Sequence, residues 1–212
     1  MISNKFTLWM ILIAATLACS SSSLFGQGFE STYEDDFSDE TSGWPDSADE
    51  DGFTGYHEGG YRILVTTNNN DVWVMPGVNF LDVSIEVDAT KIGGDNDNDF
   101  GVICRAEDLD NFYAAVISSD GYYGIFRSSD RDGFELIDME EMQSTEAIIQ
   151  GNKTNRLRFD CIGNTLSLYV NGELVIQVED SDLNSGSIGL LAGTYDIPGT
   201  DILFDDLRAE SP

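Results

Sequence analysis

The chain has 212 residues, 41% of them hydrophobic, which is enough for one folded domain with a sizeable core. Aspartate and glutamate outnumber lysine and arginine by 39 to 10, and the formal net charge is −29. Such a surface is repelled by nucleic-acid phosphates and by anionic lipid headgroups, so neither is expected as a direct partner. Divalent cations, basic partners and neutral glycans remain compatible with this charge, as does a charge that serves solubility alone.

The first eighteen residues are typical of a bacterial signal peptide. Lys5 precedes an apolar run that is too short to span a membrane. The junction Thr16-Leu17-Ala18-Cys19 is similar to a lipobox, although its first two residues depart from the usual pattern. We therefore expect residues 1–18 to be removed, Cys19 to be lipidated, and residues 19–31 to form a serine-rich tether on a membrane facing the periplasm or the exterior. Ordinary cleavage a few residues later, which would discard Cys19, remains an alternative.

From residue 32 to residue 210 the pattern predicts one domain made of strands. Short runs of alternating apolar residues are separated by Gly, Asn and Asp. The candidate strands are Gly60–Thr67, Phe80–Thr90, Phe100–Arg105, Phe112–Ser118, Tyr122–Arg127, Arg156–Ile162, Thr165–Val170, Glu173–Val178, Ser187–Ala192 and Asp201–Ala209. The most helix-like segment, Met139–Ile149, is expected to be one turn or an irregular crossing. So many short strands predict an all-β, two-sheet antiparallel sandwich of the jelly-roll type.

One hairpin near the C-terminus can be placed in register. Asn171-Gly172 between two apolar runs predicts a two-residue type I′ turn. This turn sets Val170 opposite Glu173 and Leu168 opposite Val175.

Two further hairpins bring arginine and tyrosine side chains together. Ser119-Asp120-Gly121 is typical of a three-residue loop and puts Tyr113 opposite Arg127. A loop at Glu107–Asn111 would put Arg105 opposite Tyr113. Because paired residues point to the same face of a sheet, Arg105, Tyr113 and Arg127 are expected to form one row, here called the Arg–Tyr row.

The Arg–Tyr row is a candidate ligand-binding surface. Tyr123 shares its face, and the opposite face is expected to be core. The predicted core residues are Val102, Cys104, Ala114, Val116 and Phe126. Sugar rings stack on aromatic side chains and their hydroxyls bond to guanidinium groups, so this row could bind a glycan. Alternatively, Arg105 pairs with Glu107 or Asp108, or a slip of one residue scatters the row.

The segment Asp95-Asn96-Asp97-Asn98-Asp99 alternates carboxylates in the manner of a calcium loop. Phe100 stands where an EF-hand needs glycine, and Ala106 stands where it needs the bidentate glutamate, so an EF-hand is excluded. A structural calcium site using Asp95, Asp97 and Asp99 remains open beside the simpler interpretation of a solvated acidic loop. No other cofactor is expected.

The two cysteines of the domain, Cys104 and Cys161, both fall on predicted core faces. The weak Gly163-Asn164 turn signal sets Cys161 opposite Leu166. An exported location permits a disulfide, and two buried thiols fit the pattern equally well.

Catalytic signals are weak. His57 is the only histidine and lies in a glycine-rich turn. Glu86-Val87-Asp88 is similar to the start of the Glu-x-Asp-x-x-Glu strand motif of family-16 glycoside hydrolases, but Lys91 occupies the place of the last carboxylate. No catalytic residue is therefore assigned, and an enzyme is the less favoured interpretation.

Several motifs together resemble a known superfamily. They are Asp36-Phe37, Ser42-Gly43-Trp44-Pro45, Gly60-Tyr61-Arg62-Ile63, Phe100–Arg105, Asn111-Phe112-Tyr113, Asp120-Gly121-Tyr122-Tyr123, Asn155–Arg158, Tyr169-Val170-Asn171-Gly172 and Phe204-Asp205-Asp206-Leu207. The chain is similar to concanavalin A-like lectin/glucanase sandwiches, especially the 3-keto-disaccharide hydrolase-like and LamG-like domains of exported bacterial lipoproteins. The resemblance implies the fold, but the superfamily hosts lectins, hydrolases and adhesion modules alike.

Three hypotheses follow. The leading one is a monomeric, non-catalytic module that binds a glycan or an envelope polysaccharide and meets the membrane only through its lipid anchor. The alternatives are a glycoside-processing hydrolase of the same fold and a structural or adhesion protein that binds another protein.

Overall fold

The computed structural model describes residues 28–130 and 133–212. The signal peptide and Cys19 lie outside the described residues, so cleavage and lipidation stay predictions. The described residues contain no helix that is long and apolar enough to cross a membrane.

Strands alone make up the regular secondary structure of the described residues. In chain order they are β1 (Thr32–Asp35), β2 (Ser47–Ala48), β3 (Gly52–His57), β4 (Gly60–Val65), β5 (Asn70–Val74), β6 (Asn79–Phe80), β7 (Val83–Gly93), β8 (Asn98–Ala106), β9 (Phe112–Ile117), β10 (Tyr122–Ser129), β11 (Gly133–Leu136), β12 (Gln143–Ser144), β13 (Thr154–Ile162), β14 (Thr165–Val170), β15 (Glu173–Glu179), β16 (Gly186–Thr194) and β17 (Thr200–Glu210). The segment predicted as one turn or an irregular crossing, 139–149, is irregular apart from β12.

The strands form two antiparallel sheets. The nine-stranded sheet has the order β15-β14-β13-β7-β17-β4-β3-β2, with β1 also paired to β17. The eight-stranded sheet has the order β11-β10-β9-β8-β16-β5, with β12 on β10 and β6 on β16. The prediction of an all-β, two-sheet antiparallel jelly-roll sandwich is confirmed.

The main core lies between the sheets and follows strand periodicity. In β7 every second residue from Val83 to Ala89 is buried, while the residues between them face outward. Phe159 of β13 pairs with Ile85 of β7 and is fully buried. This alternation holds because successive side chains of a strand point to opposite faces.

The predicted hairpin at Asn171-Gly172 is largely confirmed. Both turn residues have positive φ, 52° and 85°, as a type I′ turn requires. Val170 pairs with Glu173 as predicted, but Leu168 pairs with Ile176 rather than Val175. A bulge between Leu168 and Tyr169 causes this shift, because it adds a residue to one strand of the pair.

Candidate functional site

The prediction of an open Arg–Tyr row is wrong. Tyr113 pairs with Arg127 as expected, but its partner on the other side is Cys104 rather than Arg105. Arg105, Tyr113 and Tyr123 are only 2%, 0% and 8% exposed. The row therefore offers no surface on which a glycan could stack.

The error has a physical cause in the composition of β9 and β10. Both faces of these strands are apolar, so alternation could not show which face meets the core. Tyr113, Ala115 and Ile117 join the main core. Of the residues predicted as core, Val102 and Cys104 of β8 lie in the main core, whereas Ala114, Val116 and Phe126 lie in a second cluster on the opposite face.

Arg105 is an internal clamp at one end of the sandwich. Its backbone has φ 51°, which turns the side chain away from the regular alternation of β8. Nη1 donates to the Leu183 carbonyl at 3.1 Å, and Nη2 donates to Asp82 Oδ1 at 3.0 Å. Nη2 also donates to the Gly163 carbonyl at 2.7 Å, in the turn between β13 and β14. The residue therefore holds β8 to the nine-stranded sheet.

Tyr113 and Arg127 are also held by protein groups. The Tyr113 hydroxyl donates to Asp180 and accepts a hydrogen bond from the Leu183 amide at 3.0 Å. Arg127 pairs with Asp180 at 3.0 Å and also with Asp182 and Glu135. With its guanidinium occupied by three carboxylates, Arg127 is a structural residue of this corner.

Cys104 and Cys161 form a disulfide bond in the structure. Of the two alternatives that the sequence left open, the structure shows the bridge. Cys104 lies on β8 and Cys161 on β13, so the bond ties the two sheets together. Cys161 pairs with Leu166, as the Gly163-Asn164 turn predicted.

The three aspartates proposed as calcium ligands do not point to one centre. Asp95 Oδ1 accepts a hydrogen bond from the Asp97 amide at 3.0 Å, and Asp99 faces Asp71 of β5. Within residues 28–130 and 133–212 no group of three or more His, Cys, Asp or Glu side chains is arranged to hold a metal ion. Their role as calcium ligands stays a prediction.

Lys91 supplies a positive charge beside this acidic loop. Its side chain is 3% exposed, and Nζ donates to Asn96 Oδ1 and Asn152 Oδ1, both at 2.8 Å. Burial lowers the pKa of this ammonium, and Asp95 raises it. Lys91, which occupies the place of the last carboxylate in the Glu-x-Asp-x-x-Glu motif, thus links the loops that contain Asn96 and Asn152.

The carboxylates of that motif are engaged elsewhere. Glu86 and Asp88 lie on β7 of the nine-stranded sheet, where Arg156 approaches them at 3.2 and 3.3 Å. A guanidinium between the two carboxylates holds both in an ion-pair network. They form no open pair for glycoside chemistry.

The outer face of the eight-stranded sheet, which points away from the main core, carries an aromatic cluster. Its members are Trp73, Phe112, Phe126 and Phe134. The Trp73 ring centroid is 5.6 Å from that of Phe112 and 5.9 Å from that of Phe134. Trp73 Nε1 donates to the Leu109 carbonyl at 3.0 Å, so its ring is fixed in orientation. The tilted and edge-to-face ring contacts, together with this bond, give a preorganised aromatic wall.

A cavity of about 610 Å³ opens beside Trp73, where β5 forms the edge of its sheet. We call it the edge cavity. Its characteristic lining residues are Asp49, Asp51, Phe53, Asp71, Trp73 and Asp110. Two aromatic residues and four aspartates therefore line one space. The volume lies within the range of small-molecule sites.

Asp71 and Asp99 form a carboxyl pair in the wall of this region. Both pair across the strands with Gly193 of β16, so the order Asp71–Gly193–Asp99 crosses three strands. Their Oδ1 atoms lie 1.9 and 2.1 Å from the point that a Cβ on Gly193 would take, and are thus at most about 4 Å apart. Only glycine leaves room for both carboxyls over the sheet.

The electrostatics of this pair are unusual. Asp99 is partly exposed as a residue, but its Oδ1 is buried and has no hydrogen-bond partner. Burial raises the pKa of Asp99 far above the usual aspartate range, and the Asp71 charge adds to the rise. Burial likewise raises the pKa of Asp71. Two carboxyls in contact cannot both ionise easily, because the charge on one opposes ionisation of the other.

A second cavity of about 360 Å³, the tyrosine cavity, is lined by Tyr195, a neighbour of the pair. Its lining residues are Asp97, Ser118, Asp120, Tyr122, Met142 and Tyr195. Tyr122 and Tyr195 are 43% and 36% exposed. Burial and the nearby Asp99 and Asp71 carboxyls raise the pKa of Tyr195. Asp71 thus lines the edge cavity, and the tyrosine cavity meets the pair through Tyr195.

Sequence reasoning missed Asp71, Trp73 and Gly193 as site residues. The run Asn70–Val74 was not predicted as a strand because the three consecutive asparagines 68–70 at its start indicate a loop. The spacing of Asp71, Trp73 and Met75 could have revealed an outward face with period two. Their proximity to Asp99 depends on β16 lying between β5 and β8, which no local pattern encodes.

Comparison with known proteins supports the fold. No protein-family model and no curated protein matches the chain. Among solved structures, the carbohydrate-binding module CBM66 from Bacillus subtilis has a TM-score of 0.64 and 21% identity, covering 80% of this chain and 96% of its own. A β-glucanase from Bacillus licheniformis has a TM-score of 0.61 and 12% identity, covering 86% and 99%.

A third similar structure is a Bacillus subtilis protein of unknown function with a galectin-like fold. Its TM-score is 0.63 at 10% identity, over 86% of this chain and 97% of that one. At these identities the likeness shows the fold alone. The fold is the concanavalin A-like sandwich that the sequence resemblance implied, shared by carbohydrate-binding and carbohydrate-cleaving proteins.

Proposed function

We propose that this protein is a non-catalytic carbohydrate-binding module, with the edge cavity as its binding site. The observation that carries the proposal is the oriented Trp73 ring at the wall of a 610 Å³ cavity. The fold supports it, because one of the structures similar to this chain is a carbohydrate-binding module.

The chemistry of the cavity suits a sugar. The C–H faces of a sugar ring stack on aromatic rings such as Trp73 and Phe53. The carboxylates of Asp49, Asp51 and Asp110 can accept hydrogen bonds from ring hydroxyls, and bonds to charged acceptors are the stronger ones. The same carboxylates would repel uronates and sulfated sugars, so the proposed ligand is a neutral glycan.

The placement of the module fits this role. The signal peptide and lipidation at Cys19 are part of the proposal, and they would hold one acidic sandwich on a bacterial envelope. There the protein would act as a monomer on a glycan or envelope polysaccharide.

A glycoside-processing hydrolase is the second candidate, favoured by the Asp71–Asp99 pair. Retaining enzymes place their two carboxyls about 5–5.5 Å apart and inverting enzymes about 6.5–9.5 Å apart. The Oδ1 atoms of Asp71 and Asp99 are at most about 4 Å apart, which leaves no room for a sugar carbon or a water between them. This geometry favours binding over hydrolysis.

The test is a binding survey of neutral and acidic polysaccharides with the wild type and two variants. Trp73→Ala should weaken binding to a neutral polysaccharide at least tenfold, since stacking and apolar contact are both lost. Tyr169→Ala, on the outer face of the nine-stranded sheet, is the matched control and should bind as the wild type does. Circular dichroism must show both variants folded. Equal binding by all three proteins would refute the proposed site, and release of sugars during incubation would favour the hydrolase.

A further inference from the structure

The Asp71–Asp99 pair lowers the stability of the fold when both carboxyls are ionised. Two ionised carboxyls in contact repel each other, and a buried carboxyl oxygen without a hydrogen-bond partner is rare in native proteins. Here the two acids face each other across Gly193, and Asp99 Oδ1 is buried and unpartnered. A proton placed between the two carboxyls would provide the missing hydrogen bond and remove one charge.

The groups around the pair add negative charge. The charge of Asp97, in the loop before β8, raises the pKa of Asp99. The charges of Asp97 and of Asp120, in the β9–β10 loop, raise the pKa of Tyr195, which follows β16. A hydrogen bond with the Tyr195 hydroxyl lowers the pKa of Asp99, but the increase caused by burial is larger. The neighbourhood therefore favours the protonated form of the pair.

The position of Asp71 links this proton to the binding wall. Asp71 and Trp73 lie two residues apart on β5, on the same face, and both line the edge cavity. Strand β5 ends its sheet, and its ladder partner is β16. Loss of the proton would add a second charge across Gly193, and the repulsion would act on the edge strand that carries Trp73.

We propose that Asp71 and Asp99 share one proton and that this proton controls the edge cavity, which binds a neutral glycan while the pair is protonated and releases it when the pair is fully ionised. The control of binding rests on the proposed function, whereas the shared proton does not. The edge cavity should therefore bind the neutral glycan at lower pH and release it at higher pH.

The shared proton is tested without any ligand. Because the folded pKa of the pair is raised, its contribution to stability is fully present below the pKa of an unfolded aspartate, about 4, and is lost as pH rises through the folded value. One proton changes the folding equilibrium constant tenfold per pH unit across that window. Asparagine has nearly the shape of aspartic acid but does not titrate. The stability of Asp99→Asn should therefore decline less steeply with rising pH than that of the wild type.

The control variant is Asp95→Asn, which changes an aspartate of the loop before β8, outside the pair. Its stability should follow the wild-type pH dependence. Carbon-13 NMR of labelled aspartates provides the direct readout, with two coupled carboxyls expected to titrate above the normal range. Parallel stability curves for wild type and Asp99→Asn, or ordinary titration of both carboxyls, would overturn the proposal.

The binding step is tested with a neutral β-glucan as the probe, at pH 5 and pH 8. Wild-type affinity should fall at the higher pH, and Asp99→Asn should retain it. Binding that is equal at both pH values in the wild type would refute control by the pair, even if the proton is shared. Absence of binding to any neutral glycan, with the titration as expected, would refute the proposed function and the control together but leave the shared proton standing.

Discussion

Reduction of the Cys104–Cys161 bond should cost much of the stability of the domain. The bond closes a loop with a sequence separation of 57 residues and joins the two sheets. The chain-entropy relation for a loop of this length gives about 4 kcal/mol. Both cysteines are fully buried, so in the reduced protein the thiols remain packed and the loss is mainly the greater freedom of the unfolded chain.

The assay is urea unfolding of oxidised and reduced protein, with Cys19→Ala in every sample so that the two core cysteines are the remaining thiols. With a slope of about 2 kcal/mol per molar urea, the midpoint should fall by about 2 M on reduction. The variant Cys104→Ala/Cys161→Ala serves as the control, because reductant should not change its midpoint. A fall below about 0.5 M, or two free thiols in the denatured, unreduced protein, would refute the reasoning.

Three other predictions concern the residues around the core. Tyr113→Phe should destabilise the fold by about 1–3 kcal/mol, because Asp180 and the Leu183 amide lose a buried partner; unchanged urea unfolding would contradict this. Arg105→Met should cost about 3–5 kcal/mol, because Asp82 and the carbonyls of Cys161, Gly163 and Leu183 lose a charged donor, whereas Arg208→Met at an exposed pair should cost under about 1 kcal/mol; equal losses would contradict the clamp. A chelator should leave the melting temperature unchanged, because Lys91 provides the cation beside the acidic loop; a clear decrease would indicate a bound metal ion.

The sequence predicted the architecture well where local rules suffice. Asn171-Gly172 determined a turn, and the alternation in β7 and β13 determined a buried face, because only one face of those strands is apolar. In β9 both faces are apolar, so the same rule could not choose between them. Arg105 was misplaced because a positive φ interrupts the alternation of β8 at that residue.

The candidate site could not be predicted from local rules. Asp71, Gly193 and Asp99 lie far apart in the chain and meet because β16 pairs with β5 on one side and β8 on the other. The individual residues are ordinary for strand edges and acidic loops. They form a site only because the strands place them next to one another, and this placement depends on the packing of the whole sandwich.

The most direct test of the central claim is NMR mapping of a neutral β-glucan oligosaccharide on the labelled protein. We expect the amide shifts to change at residues 47–54, 70–73 and 109–110 and at the Trp73 indole, and to saturate with ligand concentration. Shifts confined to the nine-stranded sheet, or no shifts with any neutral glycan tested, would contradict the assignment of the edge cavity as the binding site.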